Sequence, residues 1–273
     1  MKFPIRNKNN YFLHKLEQLP LVSLYAKTRG WPYLIAWGHR LAGIMLVCYA
    51  CFHIYTLALL EMPLQYNAKM QIFGFPFLVF FEWLLAIPVI FHALNGGRLI
   101  LYESFGNRED TTVIKWLISV SVVYVIYLGI LMIAGNQSVS SLFFWLAMVA
   151  AALSLVYLVS LRTRLSAISF PWKLQRISGA FLLIMIPAHL VFMHLNPAAG
   201  HDAGVVIARM QSSFIKMVDA ALILAVLFHG GYGLLSIAKD YLPGRILQPI
   251  CAVIVSGVMA VFGWMGVRLI FIL

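Results

Sequence analysis

Charge is scarce in this chain. Nine of its 273 residues are acidic and twenty are basic, so 11% carry charge, where a soluble domain has about a quarter. That excludes a water-soluble globular protein. Cysteine is also scarce: Cys48, Cys51 and Cys251 are too few for a disulfide framework. No Gly-x-Gly-x-x-Gly stretch occurs, so the chain offers no dinucleotide or flavin cradle of that kind. Low-complexity segments are absent, and residues 1–32 lack the contiguous apolar core of a secretory signal.

Apolar sequence fills the remainder. The chain is 62% hydrophobic with a mean hydropathy of +0.90. A membrane-crossing helix needs about 20 such residues. Seven stretches qualify: 33–60, 73–101, 112–134, 141–161, 174–196, 215–240 and 248–272. The expected class is all-α, a polytopic membrane bundle of about seven transmembrane helices.

The sequence repeats itself, which constrains the architecture before any other feature does. Arg40 precedes His53 by thirteen residues, and Arg176 precedes His189 by thirteen. His92 is followed by Gly96 at four and Glu103 at eleven; His229 is followed by Gly233 at four and Asp240 at eleven. This organisation predicts two parallel three-helix repeats, 33–134 and 174–273. The helix at 141–161 has no counterpart and returns the chain to the starting side. Residues 1–32 are expected to lie along the cytoplasmic interface as an N-terminal segment, mixing Tyr11, Phe12 and Leu16 with charges.

Basic residues mark the membrane edges. Lys2, Arg6, Lys8, Lys15, Lys27 and Arg29 precede the first span. Arg98, Arg108 and Lys115, then Arg162, Arg164 and Lys173, then Lys239 and Arg245 follow on the same side. The opposite connections hold Lys69, Arg209 and Lys216, and 197–212 is expected to be the longest outer loop. The positive-inside rule then predicts a cytoplasmic N-terminus. So placed, the net charge of +11 is no nucleic-acid signal.

A histidine inside a bilayer is costly unless it is paired or coordinated. One alone can simply hydrogen-bond a neighbouring helix. Four at duplicated positions, His53, His92, His189 and His229, point to axial heme ligands. Thirteen residues of helix span roughly 20 Å, so the four fall at two depths. Like with like, His92 pairs with His229 nearer the cytoplasm and His53 with His189 nearer the outside. Two imidazoles per iron leave no open coordination position, which suits electron transfer. Covalent attachment through Cys48 and Cys51 does not fit, because Phe52 separates Cys51 from His53. Gly96 and Gly233, one turn past their histidines, leave room for a porphyrin face, or for close helix packing. His39, Arg40 and Arg176 stand at membrane boundaries, where heme propionates, a quinone headgroup or lipid phosphate can meet them. Arginine's planar fork suits carboxylates. His194 falls off the ligand face; His14 and His201 read as solvated. Glu82 and Asp219 each lie ten residues before an inner histidine, near the depth expected of the outer heme. They can carry protons at an outer quinone site, or hydrogen-bond a neighbouring helix or a ligand histidine.

Several of these stretches are familiar. Trp37-Gly38-His39-Arg40-Leu41-Ala42-Gly43 resembles the opening motif of the large cytochrome b anchor of succinate dehydrogenase. His92-Ala-Leu-Asn-Gly96-Gly97-Arg98 resembles that anchor's heme helix. His229-Gly-Gly-Tyr-Gly233 through Asp240-Tyr241 resembles the small anchor, where the tyrosine belongs to the quinone site. Gln175-Arg176-Ile177-Ser178-Gly179 with His189 resembles the single-chain diheme subunit of fumarate reductases. The resemblance covers roughly 33–110 and 172–245. It departs at Ala36, where the one-heme family has serine, and at Leu99, where it has histidine.

The resemblance implies a fused anchor with two heme b groups and a quinone, menaquinone ahead of ubiquinone. It implies Tyr241 at the quinone site, and a flavoprotein and an iron–sulfur subunit docked on the cytoplasmic face. It further implies a bacterial inner membrane and the role of a complex II subunit without dicarboxylate chemistry of its own. The rival readings are a diheme quinol-oxidising subunit of a hydrogenase, formate dehydrogenase or heterodisulfide reductase, and a heme-free transporter.

Overall fold

The computed structural model describes residues 30–106, 110–134, 141–164, 167–195, 198–244 and 246–273. The N-terminal segment through Arg29 (His14 included), Arg108, Arg245 and the 135–140 connection lie outside the described residues.

Among the described residues, seven helices are long and apolar enough to cross a membrane. They are α1 (Trp31–Ala58), α3 (Pro76–Phe105), α4 (Asp110–Ala134), α5 (Ser141–Arg164), α6 (Phe170–Leu195), α9 (Ser213–Tyr241) and α10 (Leu247–Ile272). Between them run three short helices: α2 (Pro63–Phe73), α7 (Ala198–His201) and α8 (Ala203–Met210). Among the described residues there is no strand. This is a multi-pass, all-helical membrane protein. Helices satisfy every backbone group internally, which the bilayer requires. Their outer faces carry bare apolar side chains, such as Ile133 at 89% and Phe271 at 83% exposure.

Local sequence explains the helix ends. The second span begins at Pro76 rather than near 73, because Gly74 closes α2 and Pro76 takes the first turn of α3, where a missing N–H costs nothing. It runs past 101 to Phe105 and stops at Gly106, whose φ of 70° is the left-handed conformation glycine supplies at helix ends. The connection at 197–212 is not an extended loop: α7 and α8 fill most of it. Asp202 caps α8 by accepting from the Val205 N–H at 3.0 Å.

By contact density the chain divides into residues 1–41 and 42–273. In the first unit the described part is Gly30 and the opening of α1, where Tyr33 and Trp37 meet edge-to-face at 6.4 Å. In the second unit, α6 is the central element, packed against α3, α4, α5 and α9. Trp83 of α3 donates to the Val125 carbonyl of α4 at 3.0 Å, and Gly129 makes room for its indole. Tyr124 of α4 donates to the Pro187 carbonyl of α6 at 2.6 Å.

One end of this unit is basic. There Arg176 pairs with Glu103 and stacks on Trp172, Arg162 lies over Phe105, and Lys173 donates to the Arg164 carbonyl. At the opposite end α2, α7 and α8 form a cap. Tyr66 donates to the Gly200 carbonyl, and the Asn67 side chain accepts from the Ala203 N–H. Burial pushes the Tyr66 phenol up to about 12, against the opposing pull of Arg209. Arg268 and Glu61 close the same end with an ion pair at 2.9 Å. Beneath the cap lies a core that includes Tyr66, Trp145, Met185, Phe192, Val206 and Leu222.

Candidate functional site: two histidine pairs

Four histidines meet in two pairs inside the bundle. His92 on α3 faces His229 on α9, with ring centroids 6.2 Å apart and planes at 87°. His53 on α1 faces His189 on α6, at 6.1 Å and 81°. Two imidazoles bound through ring nitrogens to one ion at about 2 Å put their ring centres about 6 Å apart. Both pairs have the spacing of bis-imidazole coordination. Among the described residues no group of three or more His, Cys, Asp or Glu gathers; an iron held in a porphyrin asks the protein for two.

The pair nearer the basic end sits against glycine. A Cβ at Gly43 would come within 3.0 Å of His92 Cε1, and one at Gly179 within 3.1 Å of His229 Cε1. Both approaches are tighter than nine in ten real Cβ contacts, so a larger residue at either position asks the ring to give by a few tenths of an ångström. In the repeat they are equivalent, each three residues after its arginine. Gly233 is looser: a Cβ there would meet only the Gln175 amide nitrogen, at 3.8 Å.

Polar groups from α6 fix the His229 ring. Ser178 Oγ lies 3.3 Å from His229 Nδ1 and donates to the Gln175 carbonyl at 3.2 Å. With its proton on Nδ1 and donated to Ser178 Oγ, His229 would present the Nε2 lone pair, the tautomer a metal ligand needs. Gln175, only 9% exposed, donates from Nε2 to the His229 carbonyl at 3.1 Å, and its Oε1 is buried without a partner.

The other pair sits among aromatic rings. Tyr49 stacks on His53 at 5.8 Å and 18°. Trp145 of α5 tilts over His189 at 6.3 Å and packs on Phe192 at 5.3 Å.

Arg176 is held in its ion pair with Glu103. His39 and Arg40 lie on α1 in the first unit, half-buried, while Tyr241 ends α9 with its side chain exposed. Gly96 lies half-buried on α3. Glu82 is half-buried on α3 within electrostatic reach of Tyr49 and His201, and Asp219 on α9 within reach of Arg209. No hydrogen bond joins the two carboxylates. His194 lies on the last turn of α6, and His201 is exposed.

Sequence reasoning missed Gly43, Gly179, Ser178 and Gln175 as parts of the site, although the repeat held a signal. Gln175 occupies in the second half the place of His39 in the first, and Gly179 the place of Gly43. Trp145 had no such signal, because its helix is the one without a counterpart.

Fold and site together describe a helical membrane protein in which four histidines meet as two pairs. Comparison with known sequences supplies the family. The succinate dehydrogenase/fumarate reductase transmembrane subunit family matches this chain twice, over residues 32–156 and 155–263, and the chain belongs to it. It is also 34% identical over 94 residues to the succinate dehydrogenase 2 membrane subunit SdhC of Mycobacterium tuberculosis (strain ATCC 25618 / H37Rv). That match spans 33% of this chain and 68% of the relative. No solved structure matches.

Proposed function

We propose that this chain is the diheme cytochrome b subunit of a succinate:quinone oxidoreductase or quinol:fumarate reductase, a fusion of two three-helix anchors through the helix at 141–161. The observation that carries the reading is the equal separation of the two histidine pairs, 6.2 and 6.1 Å. When bound, each bis-imidazole heme b takes up and gives up one electron without exposing an open coordination position.

The protein's own work is placement. His92 and His229 would hold one heme b, and His53 and His189 the other. Gly43 and Gly179 let the first pair approach without strain. Ser178 would orient the His229 ring through its contact with Nδ1. Trp145 and Tyr49 exclude water from the second pair. Lying at two depths, the two histidine pairs would let electrons pass between clusters of a soluble iron–sulfur subunit and a quinone. Menaquinone fits better than ubiquinone, given Ala36 and Leu99. The basic end is the docking face for the iron–sulfur and flavoprotein subunits, with the N-terminus cytoplasmic in a bacterial inner membrane. His39, Arg40 and Tyr241 belong to its heme-propionate or quinone contacts, with Gly96 and Gly233 beside the ligands. Arg176 orders the same face through Glu103. Glu82 and Asp219 serve proton transfer on the opposite side.

Single histidine replacements test the reading by redox-difference spectroscopy of the purified chain. His92→Ala and His229→Ala remove one b-type component, and His53→Ala and His189→Ala remove the other. Four variants with the wild-type spectrum would sink it.

A further inference from the structure

The turn of α9 that follows His229 is poor in side chains. It reads His229-Gly230-Gly231-Tyr232-Gly233, and glycine in a helix interior weakens the helix. Neighbouring helices pin two sides of it. A Cβ at Gly230 would come within 2.8 Å of Val47 on α1, and one at Gly231 within 3.0 Å of Met259 on α10. At Gly233 the nearest atom a Cβ would meet is the Gln175 amide nitrogen, at 3.8 Å. On that third side the tie is polar: Gln175 of α6 donates from Nε2 to the His229 carbonyl at 3.1 Å. A carbonyl oxygen has two lone pairs, so it can take this bond beside the one its own helix makes. The reverse orientation of the amide would set Oε1 against that carbonyl, acceptor facing acceptor. The orientation present leaves Oε1 buried without a partner, which is a cost. An apolar side chain of the same volume would avoid that cost. What glutamine adds here is the donor.

We propose that Gln175 is a positioning residue for His229: it fixes the stretch of α9 backbone from which the imidazole projects. This rests on the diheme reading above and deepens it. Ser178, within the same turn of α6, meets the ring itself. Backbone and ring are thus tied to one turn of the central helix, and the softness of the glycine turn is not passed on to the ring. The near-perpendicular setting of the His92 and His229 planes, 87°, is kept by α6 rather than by α9 alone.

The test compares wild type, Gln175→Met and Gln175→His, each as the full chain in nanodiscs. Gln175→Met keeps the volume and removes the donor. Gln175→His restores a donor, and histidine fills the matching place, His39, in the first half. Two quantities are read for each b-type component: the rate of heme transfer to apomyoglobin, and the ferric low-spin electron paramagnetic resonance signal, whose anisotropy follows the angle between the two imidazole planes. Gln175→Met is expected to release the heme of the His92–His229 pair about fivefold faster, the scale of one hydrogen bond, and to shift its signal. The His53–His189 component keeps its rate and its signal, and Gln175→His recovers most of both effects. Wild-type release with an unshifted signal in Gln175→Met would overturn the proposal, leaving a side chain that only fills space and a diheme reading intact. Faster release from both pairs would also overturn it, since that marks lost folding rather than lost position. So would a defect at the first pair that Gln175→His does not reduce. A wild-type chain with one low-spin component or none overturns the diheme reading itself.

Discussion

The two histidine pairs share a geometry and differ in everything around it. The pair nearer the basic end is braced by backbone: glycines on two helices admit the rings, and Ser178 fixes one of them by hydrogen bonding. The other is braced by side chains, Tyr49 on His53 and Trp145 on His189. The contrast teaches that a duplicated sequence need not build duplicated surroundings. The histidines and their spacing are copied; the packing is set by what each end of the bundle faces. The basic end meets charge and can use polar contacts. The opposite end lies under an apolar core, where an indole fills space that a hydroxyl could not.

The contrast breaks first at glycine. Gly179→Ala puts a methyl 3.1 Å from the His229 ring, and overpacking of this kind costs about 1–3 kcal/mol. It is expected to strip most of the heme nearer the basic end and spare the other, as read by component-resolved spectra. Gly233→Ala, with 3.8 Å of room, is expected to change heme content little. Equal losses from both would contradict the glycine cradle.

Glu82→Gln addresses the opposite end. With Glu82 in reach of Tyr49 and His201, the variant is expected to lose roughly tenfold or more in quinone-linked turnover, the scale of a lost proton-transfer group. Heme content and dye-linked activity should hold. Full turnover would leave Glu82 as a packing residue.

A smaller effect sharpens the asymmetry. Ser178→Ala removes one acceptor from His229 Nδ1, and the matching position in the first half is Ala42. A hydrogen bond is worth about 1 kcal/mol, about 40 mV for one electron. The ligand becomes less electron-donating, so the midpoint of the component nearer the basic end should rise by that order and the other should stay. The smallest effect belongs to Glu103→Gln. Its ion pair with Arg176 is partly exposed, so the expected loss is below about 1 kcal/mol of thermal stability.

Much of the fold was legible beforehand. Seven apolar runs became seven long helices because a bilayer leaves the backbone no other choice. The cap was not legible. Residues 63–73 and 198–210 are too short and too mixed to announce helices, and they fold because Tyr66 and Asn67 find partners across the cap. In the candidate site, the four histidines drew attention through their spacing, but their braces did not. Gly43 and Gly179 sat inside quoted motifs without a stated role, because which ring a glycine admits depends on the neighbouring helix.

The most direct test of the account is the ratio of heme to protein. A pyridine hemochrome assay on the purified chain, with protein quantified by amino-acid analysis, is predicted to give two heme b per chain. One heme per chain, or a c-type spectrum, would contradict it.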